Sequence, residues 1–424
     1  MQELSRQSDE AQEGEAMRIC WYSNACHIPS GYGMQTAQVL HRLAKDGNEV
    51  ALTANHGAAV MMNCAHGHPI FPEGLIRYSV DAAPDNMRGW IGDEPGFGVI
   101  LFDLWPLLGV QGFNDLNLAC WTPIDHDPAP PLVAKFLLDG KHHGIAMSRF
   151  GEDRLLKAGV PRDELTYIPH AIDMSVFKDN GKGAREAMGI PEDAFLVITN
   201  AANRGRIPVR KGFGEMADVM ARLMADRPDV YWMIHTEPNG HSEGVNIPRL
   251  VAHLGIDPQR VRYPHPAHYR NGIPDNAIAQ MYSAGDLHLL LSMGEGFGIP
   301  TVESQACGVP SIVSDFSAQP ELLGPHGRAV PVQRVWDEYQ ASFFGIANTD
   351  AAYLAAQEVY EETKGGRVDR AAIAASMSRY DADAVYEASW RPLVARMGAR
   401  RPRPAQGAQT PLNRAQRRQK GARA

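Results

Sequence analysis

Short apolar runs recur along the chain, each closed by Gly, Ser, Asn or Pro and followed by a stretch whose apolar positions repeat at helical spacing. The first unit predicts a strand over 18–22, a loop over 23–33 and a helix over 34–44, with Ala37, Leu40 and Leu43/Ala44 on one face. Gly47 ends that helix and a strand resumes over 49–53. Further strands are predicted over 97–102, 118–122 and 144–148, then a helix around 150–158 and an extended segment over 166–173. Residues 174–193 are polar and broken by Gly and Pro, which marks a domain boundary. A second series follows, with strands over 195–199, 230–235, 260–263, 287–292 and 309–314. Helices over 211–225, 247–254 and 275–283 alternate with them. Such alternation implies parallel sheets in both halves. An amphipathic helix over 382–394 closes the pattern, whereas 55–95 and 103–117, rich in Gly, Asn and Met, read as irregular. The organisation expected is a disordered leader (1–16), two α/β domains (17–185 and 186–375), a terminal helix (376–398) and a disordered tail (399–424).

Composition narrows the class. The 424 residues suit two domains, and 44% hydrophobic with 21% charged residues is ordinary for a soluble globular chain. No apolar run approaches the ~18 residues of a membrane span, and no secretory segment stands near the start. The five cysteines are scattered with no C-x-x-C, which fits a reduced, cytoplasmic compartment. The net charge of −8 is unevenly spread: residues 400–424 hold eight Arg/Lys and no acid. The other 33 of the 41 Arg/Lys face 49 Asp/Glu, a net −16. The tail reads as a solvated segment able to make weak polyanion contacts.

The densest chemistry is Glu295-Gly-Phe-Gly-Ile-Pro-Thr-Val-Glu303, set between two apolar runs. It predicts strand, glycine loop, short helix and strand, with Glu303 inside the first turn of a helix opened by Pro300. A loop at a strand's carboxyl end is where α/β folds bind ligands. Free N–H groups at the helix start attract an anion. A carboxylate on either side points to a ligand rich in hydroxyls, such as a sugar and a ribose with phosphates between. Gly296 and Gly298 permit close backbone approach. The first glycine loop holds only Gly31-x-Gly33, too little to identify a dinucleotide site.

Together these segments resemble the retaining glycosyltransferases of family 4, which have the GT-B fold. The resemblance rests on Glu295–Glu303, the trailing 306–310, Met281-Tyr282 with Asp286, Ile168-Pro-His-Ala-Ile-Asp173 and the basic loop Asn203-Arg204 through Arg210-Lys-Gly212. It covers about 17–398. It implies an α/β chain of two Rossmann-like parallel-sheet domains facing a central cleft, with a C-terminal helix crossing back. The implied activity is sugar transfer from a nucleoside diphosphate sugar to an acceptor hydroxyl with retention, by front-face attack and without an enzyme nucleophile. Glu303 would accept from the ribose hydroxyls and Glu295 would face the transferred sugar. Lys211 with Arg204 or Arg206 would hold the phosphates, while Gly31, Gly33, Gly296, Phe297 and Gly298 line the donor. The spacing in the basic loop leaves Arg204 and Arg206 in competition for one role.

Trp121-Thr-Pro-Ile-Asp-His-Asp-Pro128 occupies the place of the family's catalytic-histidine strand end, and offers His126 or Asp125. Asp125-x-Asp127 is too common a pattern to mark a metal, and neither a catalytic metal nor zinc is expected. Nothing beyond the nucleotide sugar is expected as cofactor. The acceptor is left open among protein, nucleic acid and small molecule, as is the donor base. The Arg/Gln-rich terminus resembles that of actinobacterial phage glycosyltransferases, which would act in the host cytoplasm. Two other readings fit parts of the pattern. One is a GT-B sugar-nucleotide epimerase; the other is a non-catalytic, nucleic-acid-associated protein that uses its tail.

Overall fold

A computed structural model describes residues 16–205, 209–240 and 243–400. The expectations for the leader before Ala16, for Arg206 and for the tail beyond Arg400 lie outside the described residues.

The first sheet has eight strands in the order Met62–Asn63, Pro69–Phe71, Glu49–His56, Arg18–Asn24, Gly96–Leu101, Leu118–Thr122, His143–Ala146, Leu165–Tyr167. All pairs are parallel except the antiparallel edge pair Met62–Asn63 with Pro69–Phe71. The second sheet has six parallel strands in the order Val261–Arg262, Val230–His235, Phe195–Asn200, Leu287–Leu290, Ser311–Ser314, Arg328–Val330. Strands buried throughout, such as Gly96–Leu101 and Leu118–Thr122, are covered on both faces, which is why they read as unbroken apolar runs.

In each sheet the order reverses at the strand that opens it. Arg18–Asn24 lies between Glu49–His56 and Gly96–Leu101, and Phe195–Asn200 lies between Val230–His235 and Leu287–Leu290. The loops leaving those strands diverge at a switch point, and a crevice opens there. The two halves meet along these loops. The Glu321 carboxylate of the second half accepts the N–H groups of Arg149 (2.9 Å) and Phe150 (3.1 Å), at the start of the first half's helix Arg149–Lys157. A carboxylate fits that helix end, where N–H groups are unpaired and the dipole is positive.

The chain then returns to the first sheet. Ala382–Val385, a π-helical turn over Tyr386–Trp390 and Arg391–Gly398 form one nearly continuous helical run. Its Trp390 packs on Trp21 (ring centroids 5.4 Å apart) and Trp121 (4.9 Å).

Several elements differ from the sequence expectation, among them the helix Pro131–Gly140 and the edge strand Arg328–Val330, and three bear on packing or on the site. The span 55–95 contains the helix Ala83–Ile91, hidden by Pro84 and a polar face, with Met87 and Ile91 buried one turn apart. A hairpin of Val332–Asp337 and Ser342–Ala347 and the helix Thr349–Lys364, capped by the Asn348 side chain, were not anticipated. The hairpin matters to the site because Phe343 exchanges backbone hydrogen bonds with Asp127 of the first half (3.1 and 3.2 Å).

Replacing the fully packed Trp390 by Ala should cost about 3–5 kcal/mol. Denaturant unfolding would check this; a loss within ~0.5 kcal/mol would mean that the terminal run does not anchor the first sheet.

Candidate active site

Between the sheets lies a cleft of about 1070 Å³ whose walls come from both halves. From the first half, Ser30, Gly31 and Tyr32 face it at the start of the helix Gly31–Lys45, with Asp103, Asp125 and His170. From the second half come Arg204, Arg210, Lys211, Glu295 to Pro300 and Glu303.

Glu295 is buried, and its backbone N–H donates to Ser317 Oγ (2.8 Å). Its Oε1 receives Lys211 Nζ at 2.5 Å, and Arg210 Nη1 lies 3.9 Å from Oε2. The same Arg210 nitrogen stands 3.1 Å from Asp125 Oδ2 in the other half, and donates to the Gly294 carbonyl. Burial works to raise the Glu295 carboxyl, but Lys211 and Arg210 outweigh it and hold the group below its ordinary value. At Asp125 burial is likewise overcome, chiefly by Arg210, and that carboxyl is held well below the usual range. Asp103 goes the other way: burial and then the nearby Asp125 push it up to about 6, against Arg210.

The glycines explain how the halves come so close. A Cβ at Gly294 would lie 2.1 Å from the Asp125 carbonyl oxygen, and one at Gly296 would lie 2.3 Å from Pro123 Cβ. The close approach at Gly296 is therefore to the first half's own chain. Gly298 has a different reason: its φ of +114° starts the helix Ile299–Ala306. At Gly212 a Cβ would lie 2.0 Å from the Leu291 carbonyl oxygen, so the turn carrying Lys211 can press against the strand end.

Glu303 is the fifth residue of the helix Ile299–Ala306, just past the first turn, where the sequence places it. It is buried, and Tyr282 Oη donates to its Oε2 (3.2 Å). Burial first, then the Asp275 carboxyl, push Glu303 up to about 8, against the Tyr282 hydroxyl. The two glutamates of one short motif thus stand in opposite states near neutral pH.

His126 corrects the sequence expectation. It does not line the cleft. Its Nδ1 lies 2.6 Å from Asp125 Oδ1, its Nε2 lies 3.2 Å from Asp337 Oδ2, and its ring packs on Phe344 at 3.8 Å. The hairpin that pairs with Asp127 draws the imidazole beneath it, so His126 orients Asp125. His170, by contrast, does line the cleft, as do His27 and His235, and its ring lies between Trp121 (4.5 Å) and Phe297 (5.4 Å). Neither of its ring nitrogens bonds a described residue, and burial lowers its pKa to about 3, leaving it neutral. Gln35 fixes this segment by exchanging two hydrogen bonds with Ala171 (2.6 and 3.0 Å).

Gly31 lines the cleft, but Gly33 does not. A Cβ at Gly33 would lie 2.2 Å from the Ile28 carbonyl oxygen, so this glycine serves the turn itself. Arg204 is exposed on the cleft wall and makes no ion pair with a described residue. Arg210 and His170 lie within the sequence motifs but outside the site residues that the resemblance implies. Adjacency to Lys211 was the only signal for Arg210, and nothing local distinguished His170. Among the described residues no group of three His, Cys, Asp or Glu side chains is placed to hold a metal ion, and no helix is long and apolar enough to cross a membrane.

Residues 264–341 match the family model "Glycosyl transferases group 1". The chain is 30% identical over 182 residues to an MMP α-(1→4)-mannosyltransferase of Mycolicibacterium hassiacum, covering 42% of this chain and 38% of that protein. Its matches to curated relatives span about a third to a half of their length. In three dimensions it resembles sucrose-phosphate synthase of Thermosynechococcus elongatus, with a TM-score of 0.68 and 17% identity over 89% of this chain and 100% of that one. It also resembles Anabaena HepE in complex with UDP-glucose, with a TM-score of 0.66 and 16% identity over 89% and 99%. The fold is GT-B: two Rossmann-like sheets facing one cleft, with a C-terminal helical run crossing back.

The raised Glu303 and Asp103 carboxyls have a sign that can be checked. Each folded-state value lies above the unfolded one, so each contributes stability that is complete below about pH 4 and lost as pH rises through about 6 for Asp103 and about 8 for Glu303. Glu303→Gln should flatten the fall in unfolding free energy between about pH 6 and 8. An unchanged slope in denaturant titrations across that window would contradict the buried, cation-free setting of Glu303.

Proposed function

We propose that this chain is a retaining glycosyltransferase that moves a sugar from a nucleoside diphosphate sugar to an acceptor hydroxyl. The observation that carries the reading is a single cleft holding Lys211 and Arg210 against Glu295, with Glu303 one helical turn beyond the N-terminus at Gly298. The family match over 264–341 covers Glu295 and Glu303, though not Arg210 and Lys211, and supports the same reading.

Each part has a chemical task. The diphosphate brings negative charge, which Lys211, Arg204 and the N–H groups at the start of Ile299–Ala306 receive. Stabilising the departing nucleoside diphosphate is the main electrostatic work of such a reaction, and these groups do it without a metal. Lys211 is held in place by Glu295 in the free protein and turns to phosphate when the donor enters. Glu295, kept ionised, then accepts from hydroxyls of the transferred sugar. Glu303 accepts from the ribose hydroxyls. Asp125, fixed by His126 and Arg210, faces the reacting sugar from the first half, where the acceptor hydroxyl enters. The leaving phosphate takes the acceptor proton, so no enzyme nucleophile is needed. Glu295 and Glu303 therefore do not form the acid and nucleophile pair of a glycosidase. The cytoplasm, where nucleotide sugars are made, is the compartment this chemistry fits.

Lys211→Ala should weaken binding of a nucleoside diphosphate tenfold or more, since a charge-assisted hydrogen bond contributes about 1.5–3 kcal/mol. Glu303→Ala should weaken donor binding, whereas Glu295→Ala should chiefly lower turnover. Calorimetry and release of nucleoside diphosphate from donor measure the two effects separately. Wild-type binding and turnover in all three variants would refute the assignment.

A further inference from the structure

The cleft continues past Glu303 along the carboxyl ends of the second sheet. A hydrogen-bond chain marks the way: Asn200 Nδ2 donates to Tyr282 Oη (2.7 Å), and Asn200 Oδ1 meets His235 Nδ1 (2.9 Å). Since Tyr282 also donates to Glu303, the chain leads from the proposed ribose clamp to His235. Beyond it, Glu237, Tyr269 and Arg270 line the same cleft, and none has a part in the chemistry above.

We propose that this end of the cleft is a nucleobase pocket selective for guanine, in which the Glu237 carboxylate receives the base's N1–H and 2-amino group. The proposal rests on the nucleotide-sugar reading and names which donors it takes.

Glu237 is 9% exposed. Its Oε2 receives Arg270 Nε at 3.2 Å, and no described residue donates to its Oε1. One side chain ties the Glu237 backbone to that of Val245. Asn203 Nδ2 donates to the carbonyl oxygens of Glu237 (3.0 Å) and Val245 (2.6 Å), and Asn203 Oδ1 accepts from Val245 N–H (2.9 Å). Gly244 leaves room for this side chain, since a Cβ there would lie 2.7 Å from Asn203 Oδ1. Glu237 is thus a preplaced acceptor, since a carboxylate only accepts.

The bases differ in what they offer such a group. Guanine presents two adjacent donors, N1–H and the 2-amino group, at the spacing of a carboxylate's two oxygens. Adenine and cytosine set a lone pair beside their amino group, and uracil sets one N–H between two carbonyl oxygens. Each of these would turn at least one lone pair toward Glu237, whereas guanine satisfies both oxygens. Arg270 completes the match, because its guanidinium can donate to O6 or N7, the acceptors of guanine's other edge. The rings of His235 and Tyr269, 5.3 Å apart, supply faces for stacking. Burial lowers the His235 pKa to about 4, so no imidazolium competes with the base for Glu237.

Calorimetric titration of the full chain with GDP, IDP, UDP and ADP tests this. GDP should bind at least tenfold more tightly than the others, including IDP, which lacks only the 2-amino group. Glu237→Gln should bring GDP down to the level of UDP and leave UDP binding unchanged. Arg270→Ala, at a largely exposed side chain, should weaken GDP more than UDP without lowering the melting temperature. Equal or tighter binding of UDP or ADP would overturn the guanine assignment while leaving the glycosyltransferase reading standing. So would equal losses for GDP and UDP in Glu237→Gln. Failure of every diphosphate to bind would overturn both.

Discussion

The bridge from Asp125 through Arg210 to Glu295 is the interaction on which the rest of the site depends. Arg210 reaches a carboxylate in each half, at 3.1 and 3.9 Å, and Lys211 closes the cluster at 2.5 Å. Buried charges cost several kcal/mol each unless they are paired; Glu295 finds Lys211 within its own half, whereas the Asp125 carboxylate takes its cation, Arg210, from the other half. The acids come from two strand ends on opposite sides of the cleft, while the bases come from one turn. Bringing them together requires backbones to touch, which only glycine at 294 and 296 allows. One electrostatic requirement therefore accounts for the glycines, the low-lying carboxyls of Glu295 and Asp125, and the closeness of the halves.

The same cleft shows how environment gives one residue type two chemistries. Glu295 sits between cations and stays ionised. Glu303, one helical turn into Ile299–Ala306, finds among the described residues only a tyrosine hydroxyl for a partner, with Asp275 near enough to repel, and holds its proton. A site that receives an anion gains from this division, since a second buried negative charge beside the helix start would oppose the ligand. Bringing hydroxyl donors to Glu303 would favour its ionised form, so donor binding and release of that proton are coupled.

The architecture serves these contacts. Both switch points open on the cleft, so the loops after Arg18–Asn24, Phe195–Asn200 and Leu287–Leu290 all contribute to it. The terminal run locks Trp390 between Trp21 and Trp121, and the hairpin after Val332 clasps Asp127. Clasping Asp127 turns His126 out of the cleft and leaves Asp125 in it.

The sequence by itself determined the alternation of strands and helices and the two parallel sheets, and it singled out Glu295, Glu303 and Lys211, which line one cleft. These are local facts: buried strands read as unbroken apolar runs, and loops with forced geometry keep their glycines. Tertiary structure alone decided which side chain at the end of Leu118–Thr122 faces the cleft. The neighbours Asp125 and His126 carry equal local credentials, and a hairpin more than 200 residues away separates them. The helix Ala83–Ile91 is not legible in the sequence because its buried face is narrow and its first turn holds a proline. Arg210 and His170 lie in motifs that do not distinguish them from their neighbours, and Glu237 lies in none. Their significance comes from partners distant in the chain, and pairing of that kind is set by how the sheets pack rather than by spacing along the sequence.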